Sequence, residues 1–407
     1  MMTNQTSSLT QVPGFSAVGV TCGLKVSGNP DLALVLADRP CAAAAVFTTN
    51  SFKAAPVLYD MALMERSARA LRGVVINAGN ANAVTGEQGL RDAEQMARSV
   101  ESACNLPIDT VFVMSTGVIG DPMPMDKVEQ GIRLARDLIK TEAGRQGQDA
   151  AKAIMTTDLV PKEAFEQTTI AGHTVSLGGM AKGSGMIHPN MATMLSVIVT
   201  DAAIEAALLK EALKQAVSRS FHRLTVDGDT STNDTVLLLA SGQAGHPSIE
   251  PKSPEFETFV RALTQLCTRL AKAIARDGEG ATKLVEIVVR RAVSEGEAES
   301  AAKTIATSPL VKTALFGNDP NWGRVLAALG RSGVLLYPAR VSLRLGDFQL
   351  LHNGEPVAFD AVAAHDWLTE ADEVKLVVDL DVGQAEAAVW TCDYSYKYIE
   401  INAEYHT

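Results

Sequence analysis

Apolar positions along the first half of the chain alternate between two rhythms. Short runs such as Leu32-Ala33-Leu34-Val35-Leu36-Ala37, Val74-Val75-Ile76 and Thr110-Val111-Phe112-Val113-Met114 have the length and composition of strands. Between them, stretches around 60–71, 87–103 and 124–140 carry helical patterns. Short strands are predicted from Phe15 to Val46, and a strand pair over 164–179 around the turn Ala171-Gly172. The second half predicts helices near 202–219, 254–276 and 298–307, with strands at Thr235-Val236-Leu237-Leu238-Leu239 and Leu284-Val285-Glu286-Ile287-Val288-Val289. From about 340 the pattern becomes β-rich and ends in Tyr394 to Ile401, while residues 1–13 read as polar and loose. Such alternation is the mark of mixed α/β layers. There is no internal repeat, low-complexity segment or Pro/Gly-rich linker.

At 407 residues the chain exceeds the usual single-core limit, which predicts two or more lobes. Hydrophobic residues at 46% with charged residues at 20% are those of an ordinary globular protein. A net charge of -11 argues against nucleic acid as the main partner, yet leaves room for a local basic pocket. The cysteines at 22, 41, 104, 267 and 392 are odd in number and far apart, which argues against a disulfide framework or zinc site. No metal and no cofactor are expected. The first basic residue is Lys25, and no apolar run approaches the ~20 residues that span a bilayer, so the expected location is cytoplasmic.

One stretch concentrates chemistry: Lys182-Gly183-Ser184-Gly185-Met186-Ile187-His188-Pro189-Asn190-Met191-Ala192-Thr193-Met194-Leu195. Glycine and proline mark a loop, and the apolar run after Thr193 marks a strand. Thr193 either merely opens a buried strand, or the chain is cut before it. A cut would leave a hydroxyl nucleophile beside its own α-amine, which titrates near ~8 and can take the proton. Elsewhere, Thr116-Gly117 in Ser115-Thr116-Gly117-Val118-Ile119-Gly120 could aim a hydroxyl and an N–H at one point; on its own this is a strand-to-loop turn. Lys182 and Glu279 read as a solvated loop lysine and a solvated glutamate in a glycine turn. The stretch Arg276-Asp277-Gly278-Glu279-Gly280-Ala281-Thr282-Lys283 does not fit a phosphate loop. Asp227, Asp229 and Asp234 invite a calcium reading that the spacing does not meet, so they read as structural turns. His188, beside a proline, reads as structural, and Asn402 to Thr407 as a fraying tail.

The fourteen-residue run resembles the self-cleavage segment of the ornithine acetyltransferases, the bifunctional glutamate N-acetyltransferases of arginine biosynthesis. The resemblance runs from near residue 12 to the last residue. It implies a break at Ala192–Thr193, giving an α fragment 1–192 and a β fragment 193–407 headed by the nucleophile Thr193. It implies an oxyanion hole at Thr116 and Gly117, and substrate contacts from Thr156, Lys182, Thr193, Glu279, Asn402 and Thr407, with Thr157 as a one-residue alternative to Thr156. His406 stands where the family commonly has arginine. The implied fold is a layered α/β sandwich with stacked β-sheets, assembled as α2β2. The implied reaction moves acetyl from N2-acetyl-L-ornithine to L-glutamate through an acetyl-threonine; acetyl-CoA is a further donor that some members accept. Its rivals are a self-cleaving aminopeptidase or amidohydrolase, and a non-catalytic α/β binding protein.

Overall fold

The computed structural model describes residues 7–188 and 194–404. Strand β1 (Phe15–Val20) lies antiparallel on the first half of the sixteen-residue β2 (Leu32–Phe47). The register of β2 shifts between Leu36 and Cys41, where Asp38, Arg39 and Pro40 are exposed. Proline lacks the N–H that a ladder needs, so the strand bends there and changes partners. Helix α1 (Ala55–Ser67), β3 (Leu71–Asn80), α2 (Gly86–Cys104) and β4 (Val111–Val118) follow in strand–helix alternation. Helices α3 (Met125–Ile139), α4 (Glu142–Gln146) and α5 (Ala150–Ala153) lead to the hairpin β5 (Lys162–Ile170) and β6 (His173–Lys182). After β7 (Leu195–Thr200) come α6 (Ala206–Ser218), β8 (Thr235–Ala240) and α7 (Pro254–Arg276). These strands form one mixed sheet in the order β4-β3-β2-β8-β7-β6-β5, with β1 on β2. Its centre is the parallel pair β7 and β8, in which every residue is buried. That explains their near-continuous apolar runs, since a parallel pair covered on both faces has no solvent side to mark with alternating polar residues.

The rest of the chain forms the second layer: β9 (Leu284–Ala292), α8 (Glu295–Ala306), α9 (Pro309–Phe316), α10 (Trp322–Gly330), β10 (Ser342–Leu345), β11 (Phe348–His352), β12 (Glu355–Pro356), α11 (Ala361–Glu370), β13 (Glu373–Asp379), β14 (Ala385–Cys392) and α12 (Tyr396–Glu404). Its strands run β12-β11-β10-β13-β9-β14. Helix α7 joins the layers. Ser253 caps it by accepting the Phe256 N–H, and Pro254 opens it. Phe259, Leu263, Leu266, Leu270 and Ile274 form its buried stripe, in a core shared with Leu284, Trp390 and Cys392 of the second sheet. The layered α/β architecture with stacked sheets is therefore as expected.

Three expectations are corrected. Residues 7–13 are not loose: Leu9 and Val12 are fully buried, and the Ser8 hydroxyl donates to the Gly179 carbonyl at 2.8 Å. The segment Tyr394 to Ile401 is not strand. β14 ends at Cys392, the Ser395 hydroxyl accepts the Lys397 N–H, and α12 begins. Its Tyr-x-Tyr-x-Tyr alternation imitates a strand, but the segment is helical, with Tyr396 and Ile399 exposed. The region after 340, expected to be β-rich, also contains α11. Among the described residues no helix is long and apolar enough to cross a membrane.

Candidate active site

Four strand ends meet at one edge of the first sheet. β6 is antiparallel to β7, which sets Lys182 opposite Leu195; β7 is parallel to β8, which sets Leu195 beside Thr235. The fourth end is that of β4. There the Asn233 side-chain amide, just before β8, donates to the carbonyls of Ala81 and Ser115 at 2.7 and 2.8 Å. Gly117 next to it has φ +134, and a Cβ there would stand 2.3 Å from the Gly79 carbonyl carbon. Only glycine lets β3 and β4 approach in this way.

Lys182 is 2% exposed, and its ammonium donates to the Thr116 hydroxyl oxygen at 3.0 Å. An ammonium has no lone pair, so the Thr116 proton cannot return to Lys182 and is free for another acceptor. Burial lowers the Lys182 pKa against the pull of Asp158, of Glu279 and of Asp234 when it is ionised. Asp158 organises the floor. Its carboxylate accepts from Gly183 N (2.7 Å), Thr156 N (3.0 Å) and Lys162 Nζ (2.5 Å), and Lys162 reaches on to Asp277 at 2.6 Å. Burial raises the Asp158 carboxyl, but Lys182, Lys162 and these donors outweigh it and hold it at about 2.

The facing wall is acidic. The Glu279 carboxylate lies against Gly185, where a Cβ would be 2.3 Å from Oε2, and it accepts from the Asn402 side chain at 2.7 Å. The Asp227 carboxylate takes the N–H groups of Met186 (2.6 Å) and Ile187 (2.8 Å). Burial, with Asp229 beside it, raises Asp227 to about 6 in spite of these donors. Tyr398 closes the side, stacked on Tyr394 at 4.7 Å between ring centres. Beneath it the buried Lys312 ammonium sits 4.4 Å from the Tyr394 ring centre.

Thr116, Gly117, Thr156, Lys182, Glu279 and Asn402, widely separated in the chain, thus line one cavity of about 120 Å3. Thr157 lines it too, so both threonines of the pair reach the site. Ala192, Thr193, His406 and Thr407 lie outside the described residues. Sequence reasoning missed Asp158, Lys162 and Tyr398, and read Asp227 and Asp234 as structural turns. Those two aspartates flank the central segment: Asp227 holds Met186 and Ile187 before it, and Asp234 accepts the Met194 N–H after it at 3.0 Å. The signal was the Asp/Asn-rich string from Asp227 to Asp234, rich in short acceptors for free backbone N–H groups.

A model of the ArgJ family matches residues 16–407. The chain belongs to the ArgJ family. The arginine biosynthesis bifunctional protein ArgJ of Symbiobacterium thermophilum is 52% identical over 401 residues, covering 98% of each chain. That of Synechococcus is 47% identical over 407 residues, covering 98% of this chain and 97% of its own. Among solved structures, the Bacillus halodurans ArgJ chain matches with a TM-score of 0.51 and 45% identity, over 52% of this chain and 100% of its own. An ornithine acetyltransferase of Mycobacterium tuberculosis, solved with ornithine, is 37% identical over 46% of this chain, with a TM-score of 0.39. As a member of the ArgJ family at this identity, the chain is a bifunctional acyltransferase of arginine biosynthesis.

Proposed function

We propose that the chain cuts its own Ala192–Thr193 bond and that Thr193 then carries acetyl from N2-acetyl-L-ornithine to L-glutamate. The observation that carries this reading is the Lys182–Thr116 contact facing the Glu279–Asn402 pair across one cavity, at the sheet edge where the strand after Thr193 begins. A cation on one wall and carboxylates on the other suit an amino acid with a carboxylate and an amine. Thr156, Lys182, Glu279, Asn402 and Thr407 contact the substrate.

In this reading the Thr193 hydroxyl attacks the acetyl carbonyl and its α-amine takes the proton. The Thr116 hydroxyl, whose oxygen accepts from Lys182 and whose proton is free to donate, and the Gly117 N–H receive the oxyanion. The α-nitrogen of ornithine leaves with the proton, and acetyl remains as an ester on Thr193. The glutamate amine then attacks that ester, forming N-acetylglutamate and restoring the threonine. The relatives are named bifunctional, which leaves room for a second activity, and the family resemblance makes acetyl-CoA the donor for it. The Bacillus halodurans chain, wholly used in matching about half of this one, supports separate fragments. Pairing of β6 with β7 would hold the fragments together, and the family resemblance supplies the α2β2 arrangement. Five free cysteines fit a cytoplasmic setting.

Incubation with N2-acetyl-L-ornithine alone should release about one equivalent of ornithine per site, since one nucleophile holds one acyl group. The β fragment should gain one acetyl group in intact mass, and L-glutamate should remove it. Steady release of acetate without glutamate would turn the reading toward a hydrolase.

A further inference from the structure

Self-cleavage poses a problem that acetyl transfer does not. Before the cut the Thr193 nitrogen is an amide, so it cannot serve as base, and an amide nitrogen leaves only once it is protonated. Another group must move these protons. The described residues place a carboxyl beside this junction. Asp234 sits immediately before β8, fully buried, with its own carbonyl accepting the Thr48 N–H at 2.9 Å. Its Oδ1 accepts the Met194 N–H at 3.0 Å. Its Oδ2 is buried and has no hydrogen-bond partner among the described residues. The Ser231 N–H lies toward the carboxyl and favours its charged form, but makes no hydrogen bond to Oδ2. A buried polar atom left open costs stability and calls for a reason. Met194 directly follows Thr193, and three covalent bonds separate their nitrogens, a span of at most about 4 Å in any conformation.

We propose that Asp234 is the acid–base group of self-cleavage at Ala192–Thr193. The inference rests on the cleavage reading above. The Thr193 hydroxyl oxygen bonds to the Ala192 carbonyl carbon, and the bond from that carbon to the Thr193 nitrogen breaks. Asp234 gives its proton to the nitrogen and receives the hydroxyl proton, so it ends as it began. The product is an Ala192 ester on Thr193 with a free amine, and water opens the ester to an Ala192 carboxylate and a Thr193 hydroxyl. Asp234 is suited to begin as the neutral acid: burial holds it well above the usual carboxylate range, against the pull of the Met194 N–H and Lys182. Lys182, from β6, is the charged group facing it, while Met194, just before β7, presents its N–H and the end of β2 leads to Thr48.

The test is Asp234→Asn, whose amide oxygen can still accept the Met194 N–H but which supplies no proton. Precursor made by cell-free synthesis would be followed by intact mass. Asp234→Asn should cleave about 100-fold more slowly than wild type, the lower range of general acid–base effects. Combined with Thr193→Ala, it should melt with the Thr193→Ala precursor, which shows that it folds. In wild type, cleavage should slow as pH rises and the acid form is lost. Cleavage of folded Asp234→Asn at the wild-type rate overturns the proposal. If the variant does not fold, a wild-type rate that stays flat or rises with pH overturns it instead. Wild-type protein that stays in one piece would fail the cleavage reading beneath it, a separate result.

Discussion

At the scale of single residues, the site depends on donors whose protons are directed by a neighbour. Thr116 would make an ordinary threonine at a strand end if Lys182 were elsewhere; with the ammonium donating to its oxygen, its proton is free for an acceptor in the cavity that it lines. Thr116→Ala should therefore lower kcat by ~10²–10³, the usual cost of one oxyanion donor, with a much smaller change in KM. Steady-state kinetics on the cleaved variant would check this, and a change confined to KM would remove Thr116 from the oxyanion hole. The same pair shows where sequence reading stops. Lys182 stands among glycines and serines and reads as solvated, because the groups that bury it, Thr116 and Asp158, lie 66 and 24 residues away. Burial is a property of partners, and a local window does not contain them.

At the scale of elements, the helix over 254–276 was legible to its ends because its signals are local: a serine cap, a proline at the first turn and a stripe at helical spacing. The carboxyl-terminal helix was not, since its alternating tyrosines match the strand period, and the local signal against a strand is Ser395, whose hydroxyl accepts the Lys397 N–H. Glu286 on β9 binds several elements at once. It accepts from Lys272 of α7 and the Trp390 indole N–H of β14, both at 2.9 Å, and from Lys375 of β13 at 3.0 Å. Burial raises its carboxyl, but these three donors prevail and lower it from 4.5 to about 2. A depressed folded pKa gives stability that is present above about 4.5 and lost as pH falls toward about 2. Glu286→Gln should cost on the order of 1–2 kcal/mol at neutral pH, after allowing for solvent screening of its half-exposed partners. Denaturant titrations should find the gap between variant and wild type narrowing over that acid range. An equal gap at both ends would mean that packing, not charge, is responsible.

At the scale of the whole molecule, the proposed cut falls between two neighbouring strands of one sheet, β6 and β7, paired from Leu177↔Thr200 to Lys182↔Leu195. Neither fragment owns that ladder, so neither can complete the first sheet alone. Synthesis brings these strands together within one chain, where closure is a unimolecular event whose cost grows only slowly with loop length. Once the link is cut, the same pairing can be regained only by collision of two chains. Folding thus changes its molecularity after a single passage. Cleaved enzyme diluted from denaturant should recover in proportion to its concentration, while the Thr193→Ala precursor should regain its native spectrum equally well at every dilution. Equal recovery of both would mean that the fragments never separate in denaturant or fold independently. With recovery that depends on concentration, the working enzyme owes its persistence to slow unfolding: a molecule that comes apart in a dilute compartment has lost the covalent thread that once guided it home.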